Sequence, residues 1–304
     1  MLPIDVFCYG EIGVDNIVQL PHLPSPELAA FPTSDSYHIG GAAANTAVWL
    51  ANFGIDVALS GNRLGRDPYG RQLWQWLRKH PHLDLRLVER REEESTPFCR
   101  VMVTPDGERT FLVYGYPQAS KIELQPQHLA GATYLALDLY GGEERFRAAK
   151  VAYAAGVQTA VGDVIEHDHP ILPLAPLVTN SAAFMREVLP GIDILQQSRR
   201  LQATNKGIVI ATDGARELIA VDQKGDAFRV QPPAVSAIDA TGAGDAFRAG
   251  LLAGLLKGQP LSRAVCLGVA AGALKVQHLG AATNLPSPAE VVALADTLAT
   301  EAVS

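Results

Sequence analysis

The chain has 304 residues, 48% apolar and 19% charged, with 25 basic and 32 acidic side chains that give a net charge of −7. The length allows one large α/β domain or a large domain with a smaller companion. The acidic excess disfavours a nucleic-acid partner, and no stretch is apolar over the roughly 18 residues that a membrane span needs. Three scattered cysteines in no CxxC pair indicate neither a disulfide framework nor a thiolate zinc site, so a reducing cytoplasm is expected.

Short β-prone runs alternate with helix-length segments along most of the chain. The β-prone runs are 4–9, 55–60, 133–137, 157–161, 208–212 and 218–221. Apolar positions recur every three or four residues in the predicted helices 42–53, 68–79, 143–155, 243–257, 261–276 and 288–299. Strands that alternate with helices predict an α/β fold, with a mostly parallel sheet covered on both faces.

Two stretches interrupt this alternation. Residues 13–38 are rich in proline and polar residues, and 96–116 predict two strands around the turn Pro105-Asp106-Gly107. We expect both stretches to belong to one small β-rich element inserted into the α/β body. The body then consists of residues 1–12, 39–95 and 117–304.

The clearest chemical signal is a glycine-rich turn, Asp239 to Gly244, which leads directly into a predicted helix. Gly242 and Gly244 let the backbone approach a ligand, and the free N–H groups of a helix's first turn bind an anion such as a phosphoryl group. Asp245 has two interpretations. It either stabilises the helix dipole or accepts a proton from a hydroxyl group that attacks phosphorus.

A second glycine-rich element, Gly40-Gly41-Ala42-Ala43-Ala44-Asn45, opens the helix that begins near residue 42. Small residues there let a polar ligand lie against the backbone, and Asn45 can donate and accept hydrogen bonds with hydroxyl groups. The alternative is tight helix packing around an asparagine that the backbone satisfies. Asp15 follows the first strand, where α/β proteins bind ligands, although a single aspartate in a turn is commonly only a turn residue.

In this order, these elements resemble the ribokinase-like (PfkB-type) carbohydrate kinase family over nearly the whole chain. The N-terminal family signature is similar to residues 40–47, followed by Gly54 and 65–70, and the C-terminal signature is similar to 239–250. Between them, 106–110 resembles the lid hairpin of the family and 212–214 its ATP-side loop.

The resemblance implies a Rossmann-like three-layer domain with a small β-sheet lid and transfer of the γ-phosphoryl group of MgATP to a hydroxymethyl group of a sugar or sugar-like alcohol. It implies that Asp245 is the catalytic base and that the anion hole is Gly242, Ala243 and Gly244. The implied substrate-binding residues are Asp15, Gly41 and Asn45, and those near the nucleotide are Asn180, Thr212 and Gly214. A monovalent cation such as K⁺, which many members bind, would lie near Asp239, Thr241 and Gly280. Lid strands often pair between subunits in this family, so a homodimer is expected.

Three positions depart from the family pattern. Ala240 follows Asp239 where the family usually has Thr, Ser, Pro or Val, and Glu217 stands where the ATP-side loop often has a second glycine. The stretch from Asn180 to Ala183 resembles the Asn-x-x-Glu element of the family without its acid. That glutamate normally organises water around Mg²⁺, so metal handling is expected to differ here.

Other functions stay open. A nucleoside kinase of the same family fits, because the apolar lid residues do not exclude a base, and Gly13 replaces an asparagine of ribokinases. These apolar residues are Val101, Val103, Phe111 and Val113. A non-catalytic sugar or nucleotide sensor is favoured by Ala183 and opposed by Asp245. A dinucleotide-dependent dehydrogenase is disfavoured, because its glycine motif follows the first strand whereas this one lies near the end of the chain.

Overall fold

The computed structural model describes residues 4–105, 109–138 and 140–303. The strands are β1 (Val6–Gly10), β2 (Gly13–Gln19), β3 (Ser34–Gly40), β4 (Val57–Gly61), β5 (Leu64–Gly65), β6 (Leu83–Asp84), β7 (Arg90–Arg91), β8 (Phe98–Val103), β9 (Arg109–Tyr114), β10 (Tyr134–Leu137), β11 (Gln158–Gly162), β12 (Leu177–Ser181), β13 (Ile208–Asp213), β14 (Arg216–Val221), β15 (Ala227–Val230) and β16 (Thr300–Val303). The helices are α1 (Ala42–Asn52), α2 (Pro68–Leu77), α3 (Glu143–Ala154), α4 (Ala182–Val188), α5 (Ile194–Asn205), α6 (Ala243–Leu256), α7 (Leu261–Lys275) and α8 (Pro288–Ala295). Two short 3₁₀ helices cover Pro126–Leu129 and Leu172–Leu174.

The largest sheet has ten strands in the order β6-β4-β1-β10-β11-β12-β13-β14-β15-β16. The strands from β6 to β13 are parallel, and β14, β15 and β16 continue the sheet in antiparallel pairs. All five residues of β1 and all five of β4 are buried. Such unbroken burial is expected where helices cover both faces of a parallel sheet.

Successive side chains of each central strand enter two different cores. Val6 and Cys8 of β1 pack in a core with residues of α1, α6 and α7, whereas Phe7 and Tyr9 pack in a second core with residues of α3. The alternation follows from the two-residue period of a strand. The predicted α/β class with helices on both faces is therefore confirmed.

A separate sheet of four strands has the order β3-β2-β8-β9. β2 is antiparallel to β3 and parallel to β8, and β9 is antiparallel to β8. Its strands come from the two stretches that interrupt the alternation in the sequence. Asp106, Gly107 and Glu108 lie outside the described residues, and they include the last two residues of the predicted turn and the start of the lid motif.

The predicted helices and strands recur with shifts of a few residues at their ends. The largest shift is at 288–299, where α8 ends at Ala295 and β16 begins at Thr300. Strands β12, β15 and β16 and helices α4 and α5 were not among the predicted elements. In the part of the chain that the structure describes, no helix is both long and apolar enough to cross a membrane.

Candidate active site

Acidic side chains gather where the parallel strands end. Asp138 directly follows β10 and Asp163 directly follows β11, while Glu11 follows β1. These ends share one edge of the sheet because the strands are parallel. In open α/β sheets, ligands bind at this edge.

The glycine-rich turn before α6 is packed against the loop that follows α7. Gly242 has φ +75°, and a Cβ at this position would lie 2.3 Å from the Cβ of Ala281. Only glycine fits this combination of positive φ and close approach. At Gly244, by contrast, a Cβ would meet no heavy atom of the described residues within 4 Å. The first turn of α6 is therefore open at Gly244, while the amide of Ala243 donates to the carbonyl oxygen of Ala240 at 3.2 Å.

Asp245 lies in the first turn of α6 and is 9% exposed. Asn45 Nδ2 donates a hydrogen bond to its Oδ2 at 3.1 Å, and Arg248 Nη1 is 3.9 Å from its Oδ1. Burial raises the pKa of Asp245 to about 6, Arg248 and Asn45 oppose that rise, and Asp138 and Asp163 add to it. A carboxylate with such a pKa is ionised at neutral pH and still basic enough to accept a proton.

The side chain of Asn45 has one satisfied end and one orphaned end. Its amide donates to Asp245, whereas its Oδ1 is buried and has no hydrogen-bond partner among the described residues. A buried acceptor without a donor is uncommon in native proteins and costs stability. The structure thus excludes an asparagine satisfied only by the backbone.

Asp15 reaches the same site from the small sheet. It is 5% exposed, and none of the described residues donates a hydrogen bond to its carboxylate. A side chain on Gly40 would collide with it, since a Cβ there would lie 2.2 Å from Asp15 Oδ1. Burial raises the pKa of Asp15 to about 8, with further rises from Asp245 and Asp239. Gly40 directly precedes Gly41 and α1, so Asp15 lies beside the start of the helix that carries Asn45.

Gly41 supplies the turn that brings α1 to the site. It precedes α1 with φ +87°, and a Cβ there would lie 2.4 Å from the carbonyl oxygen of Glu11. Glycine at this position therefore allows the loop after β1 and the start of α1 to touch. Asn45 lies one helical turn further along.

The three residues predicted near the nucleotide lie together at the ends of β12 and β13. Thr212 Oγ1 donates to the carbonyl oxygen of Asn180 at 3.2 Å. The amide of Asn180 is occupied by the backbone of Val164, from which Oδ1 accepts at 2.9 Å and to which Nδ2 donates at 2.6 Å. At Gly214, which has φ +61°, a Cβ would meet nothing within 4 Å among the described residues. Only Gly214 therefore offers unobstructed space.

Two of the departures from the family pattern can be located in the structure. Glu217 lies within β14 rather than in the preceding turn, and its Oε2 is 3.2 Å from Arg229 Nη1 on β15. Ser181 caps α4, and Ala183 is exposed in the first turn of that helix. Asp163 accepts hydrogen bonds from the Ser181 amide and from the Tyr140 hydroxyl, so it lies beside the start of α4.

Asp239, Thr241 and Gly280, for which the sequence predicted a cation site, lie together. Asp239 Oδ1 accepts from the amide of Thr241 at 2.8 Å, and Asp239 Oδ2 accepts from the amide of Gly280 at 2.9 Å. A residue that the sequence did not single out, Lys275, lies among them with its Nζ 3.6 Å from Asp239 Oδ2. In the described part of the chain, no cluster of three or more His, Cys, Asp or Glu side chains can hold a metal ion.

Sequence reasoning also missed Arg248, Arg145 and Asp138 at this site. Arg248 lies near Asp245 and also packs against Gly162. A Cβ at Gly162 would lie 2.2 Å from Arg248 Nη2. Arg145 Nε forms a buried ion pair with Asp138 Oδ1 at 3.0 Å. Arg248 carried a signal, since it stands one turn after Asp245 on the helix. Asp138 and Arg145 carried none, because only the folded sheet brings the end of β10 to the site.

Comparison with known proteins identifies the family of this chain. Residues 4–164 and 182–288 match the pfkB family carbohydrate kinases. The match spans most of the chain and includes Asp15, Asn45 and Asp245. The protein therefore belongs to the pfkB family of carbohydrate kinases, a class of phosphotransferases that act on an alcohol group.

Individual relatives of this chain include kinases of different substrates. The chain is 27% identical to a nucleoside kinase of Methanocaldococcus jannaschii over 309 aligned positions, which cover 94% of this chain and 95% of that protein. It is 25% identical to a ribokinase of Haemophilus influenzae, with coverage of 93% and 95%. It is 30% identical to a fructokinase of Salmonella typhimurium, with coverage of 81% and 88%.

Solved structures share the fold. A ribokinase of Arabidopsis thaliana in complex with ribose and ATP superposes with a TM-score of 0.81, at 21% identity and with coverage of 97% of this chain and 99% of that one. A nucleoside kinase of Burkholderia thailandensis in complex with inosine gives 0.77, at 22% identity with coverage of 96% and 97%. The predicted ribokinase-like fold is thus confirmed.

Proposed function

We propose that this kinase transfers the γ-phosphoryl group of ATP to a hydroxymethyl group of a sugar or sugar-like alcohol, with Asp245 accepting the proton of that hydroxyl. The observation that carries the proposal is the contact between Asn45 and Asp245 at the start of α6. It joins a proton acceptor to a side chain whose Oδ1 still lacks a donor. A substrate hydroxyl satisfies Asn45 and lies within reach of Asp245.

The proposed roles divide between the two sheets. Asp15, from the small sheet, and Asn45, from α1, hold hydroxyl groups of the substrate and orient the reacting one, and Gly41 lets their elements meet. The amides of Gly242, Ala243 and Gly244 bind the transferred phosphoryl group. In phosphoryl transfer, positioning and charge stabilisation supply most of the acceleration, so one orienting carboxylate suffices. The small sheet, with residues 13–38 and 96–116, acts as the lid over the substrate.

The proposed ATP site lies beside α6 and β13. Side chains are missing at Gly214 and Gly244, and a Cβ at either position would meet nothing within 4 Å of the described residues. The nucleotide is therefore proposed to lie across Gly214 and Thr212, with its terminal phosphate at Gly244. Asn180 contributes through its carbonyl contact with Thr212, since its amide is occupied by Val164.

Mg²⁺ is proposed to reach the site mainly with ATP. The chain has alanine at position 183, and Asp163 is the described carboxylate beside that helix start. Mg²⁺ commonly keeps several waters and takes only one or two protein carboxylates. When bound, the ion neutralises charge on the phosphates, and Asp163 would hold one of its waters.

A substrate screen tests the proposal. ATP consumption by the full chain is measured with pentoses, hexoses, sugar acids, inositols and nucleosides, and Asp245→Asn serves as the control. We expect turnover with at least one neutral sugar or nucleoside, and a turnover about 10²- to 10⁴-fold lower with the variant. Binding of sugar without turnover under any condition would establish the non-catalytic sensor instead.

A nucleoside is the second candidate substrate. In the small sheet, Cys99 of β8 is paired with Asp15 of β2 and with Val113 of β9. The side chains of Val113 and Asp15 therefore lie on the same face of the sheet. Phe111, two residues away on that face, is 47% exposed and Val113 is 57% exposed. These apolar surfaces offer a base a wall to stack on, and base–aromatic stacking contributes about 1 to 3 kcal/mol.

The free edge of the small sheet is proposed to pair with a second copy of the chain. Strand β9 is at the edge, and its last four residues, Phe111 to Tyr114, are 43% to 57% exposed. An exposed apolar edge strand readily pairs with another chain. Sedimentation velocity of the full chain tests this association. The buried, unpaired state of Cys8, Cys99 and Cys266 accords with the proposed cytoplasmic location.

The acid limb of the pH profile should report Asp245. In the free enzyme its pKa is raised to about 6, so kcat/KM should fall as the pH drops through about 6 and Asp245 becomes protonated. Arg248→Met removes a charge that lowers this pKa, and the limb should move to higher pH. Arg199→Met, an exposed change on α5, is the control. A limb that does not move in Arg248→Met would assign the titration to another group.

The missing acid at Ala183 should appear as a weak affinity for Mg²⁺, so that more Mg²⁺ is needed for full activity. Loss of an outer carboxylate typically weakens metal affinity by about 10- to 100-fold without abolishing chemistry. We expect activity at saturating ATP to level off only at raised free Mg²⁺, and Ala183→Glu to lower the Mg²⁺ needed. If the wild type saturates at low Mg²⁺ and Ala183→Glu changes nothing, another carboxylate holds the metal, and Asp163→Asn identifies it.

A further inference from the structure

Lys275 is a buried lysine at the end of α7. Its side chain is 2% exposed, and Nζ donates to the carbonyl oxygens of Asp239 at 2.5 Å and His278 at 3.1 Å. Its third neighbour is Asp239 Oδ2 at 3.6 Å. A lysine is almost never fully buried unless it is paired, and here two carbonyls and a carboxylate surround one ammonium group.

These contacts join the two loops that form the anion-binding turn. Asp239 belongs to the segment before α6, and its carboxylate accepts the amides of Thr241 and Gly280. The next residue after Gly280 is Ala281, against which Gly242 packs. The carbonyl oxygen of Ala281 accepts a hydrogen bond from Trp49 Nε1 at 2.9 Å. The position of Gly242 therefore depends on a network whose central cation is Lys275.

A free monovalent cation does not fit this group of residues. A hard cation in a protein takes about six or more oxygen ligands. Here the carboxylate of Asp239 is engaged by two amides, and the carbonyls of Asp239 and His278 accept from Lys275. Among the side-chain atoms of the described residues here, only Thr241 Oγ1 is buried without a partner. The space beside the two carbonyl oxygens is already occupied by the ammonium group of Lys275. The sequence-based prediction of K⁺ at Asp239, Thr241 and Gly280 therefore disagrees with the structure.

We propose that the ammonium group of Lys275 takes the place of a monovalent cation, so that the anion-binding turn of this kinase is assembled without K⁺. The inference rests on the proposed phosphoryl-binding role of that turn. Lys275 is a positioning residue: it contacts neither substrate nor nucleotide and acts through Asp239 and the loop at 278–281. A lysine ammonium is a compact point charge with three donors, as the three surrounding oxygens require.

The test compares salts on the full chain and does not depend on knowing the sugar. Affinity for ATP in the presence of Mg²⁺ and the thermal unfolding midpoint are measured in potassium chloride and in choline chloride at equal ionic strength. We expect the wild type to give the same two values in both salts. A several-fold gain in ATP affinity, or a clear rise of the midpoint, in potassium chloride would overturn the proposal.

Two substitutions separate charge from shape. Lys275→Ala leaves space for a cation, so ATP affinity should fall by at least about 10-fold in choline chloride and recover in potassium or ammonium chloride. Lys275→Met fills the space with an uncharged chain, so its loss should persist in every salt. Lys257→Ala, at an exposed lysine after α6, should match the wild type. Equal behaviour of Lys275→Ala and the wild type in choline chloride would overturn the proposal.

The outcomes also separate this inference from the proposed function. If no ATP binds under any condition, the kinase proposal fails, yet the unfolding midpoints still report whether a cation binds. If Lys275→Ala unfolds in both salts, the wild-type comparison alone decides. If the variant folds only in potassium or ammonium chloride, the supplied cation has replaced the lysine and the proposal is supported.

Discussion

Asp245→Asn should lower kcat by about 10²- to 10⁴-fold, because the amide cannot accept the proton of the attacking hydroxyl. The variant should fold at least as well as the wild type, since the carboxylate it removes is 9% exposed and burial raises its pKa. ATP affinity should change little, because the phosphates are proposed to contact backbone amides of the turn. Steady-state kinetics with a substrate identified in the screen, together with ATP titration, measure these quantities.

A matched control distinguishes catalysis from helix stabilisation. Glu143 occupies the first turn of α3 as Asp245 occupies that of α6, but it is exposed. Glu143→Gln should therefore cost only the small dipole contribution of about 0.3 to 1 kcal/mol in stability, with kcat unchanged. If Asp245→Asn kept more than half of the wild-type kcat, Asp245 would be a helix-stabilising residue and the assignment of the base would be wrong.

Local sequence patterns were sufficient to predict the glycine-rich turn and its helix. The turn at Gly242 needs a positive φ and leads directly into an apolar, strongly helical segment, and both features can be read within a dozen residues. The same holds for Gly41 and α1. Asp15 and Asn45 were recognised because each lies beside such a turn or strand end. Short-range signals of this kind survive in a single sequence.

Contacts between distant segments could not be predicted in the same way. Lys275 lies at the end of an apolar helix, where it would usually be taken for a surface lysine near the helix dipole. Its contact with Asp239 depends on how α7 packs beside α6, which no pattern within either helix specifies. Strand β16 escaped prediction for a similar reason, because its pairing with β15 joins residues far apart in the chain. The substrate is likewise unspecified by the shared turns.

Asp15→Asn should weaken binding of the sugar or nucleoside by about 10- to 100-fold, while affinity for ATP stays near that of the wild type. The titrations are made above pH 8, where Asp15 is ionised, since hydrogen bonds to a charged group contribute about 1.5 to 3 kcal/mol. Asn45→Ala should also weaken the substrate selectively, because it removes the orphaned Oδ1 acceptor. Separate calorimetric titrations of substrate and ATP measure the two effects. Equal losses for both ligands would indicate general damage to the fold instead.

The same substitution should stabilise the protein in a pH-dependent way. The pKa of Asp15 is raised from 3.8 to about 8 in the folded state, so between these values the folded chain binds a proton that the unfolded chain has lost. Stability from this group is therefore present at low pH and falls as the pH rises toward 8. Asparagine carries no such penalty, and the unfolding midpoint of Asp15→Asn should exceed that of the wild type by about 2 to 4 °C near pH 8, with the difference shrinking toward pH 4. Asp168→Asn, at an exposed site, should show no such trend. A wild-type midpoint that equals that of Asp15→Asn at pH 8 would mean that Asp15 is paired in the folded protein, and its role as a free acceptor for substrate would have to be abandoned.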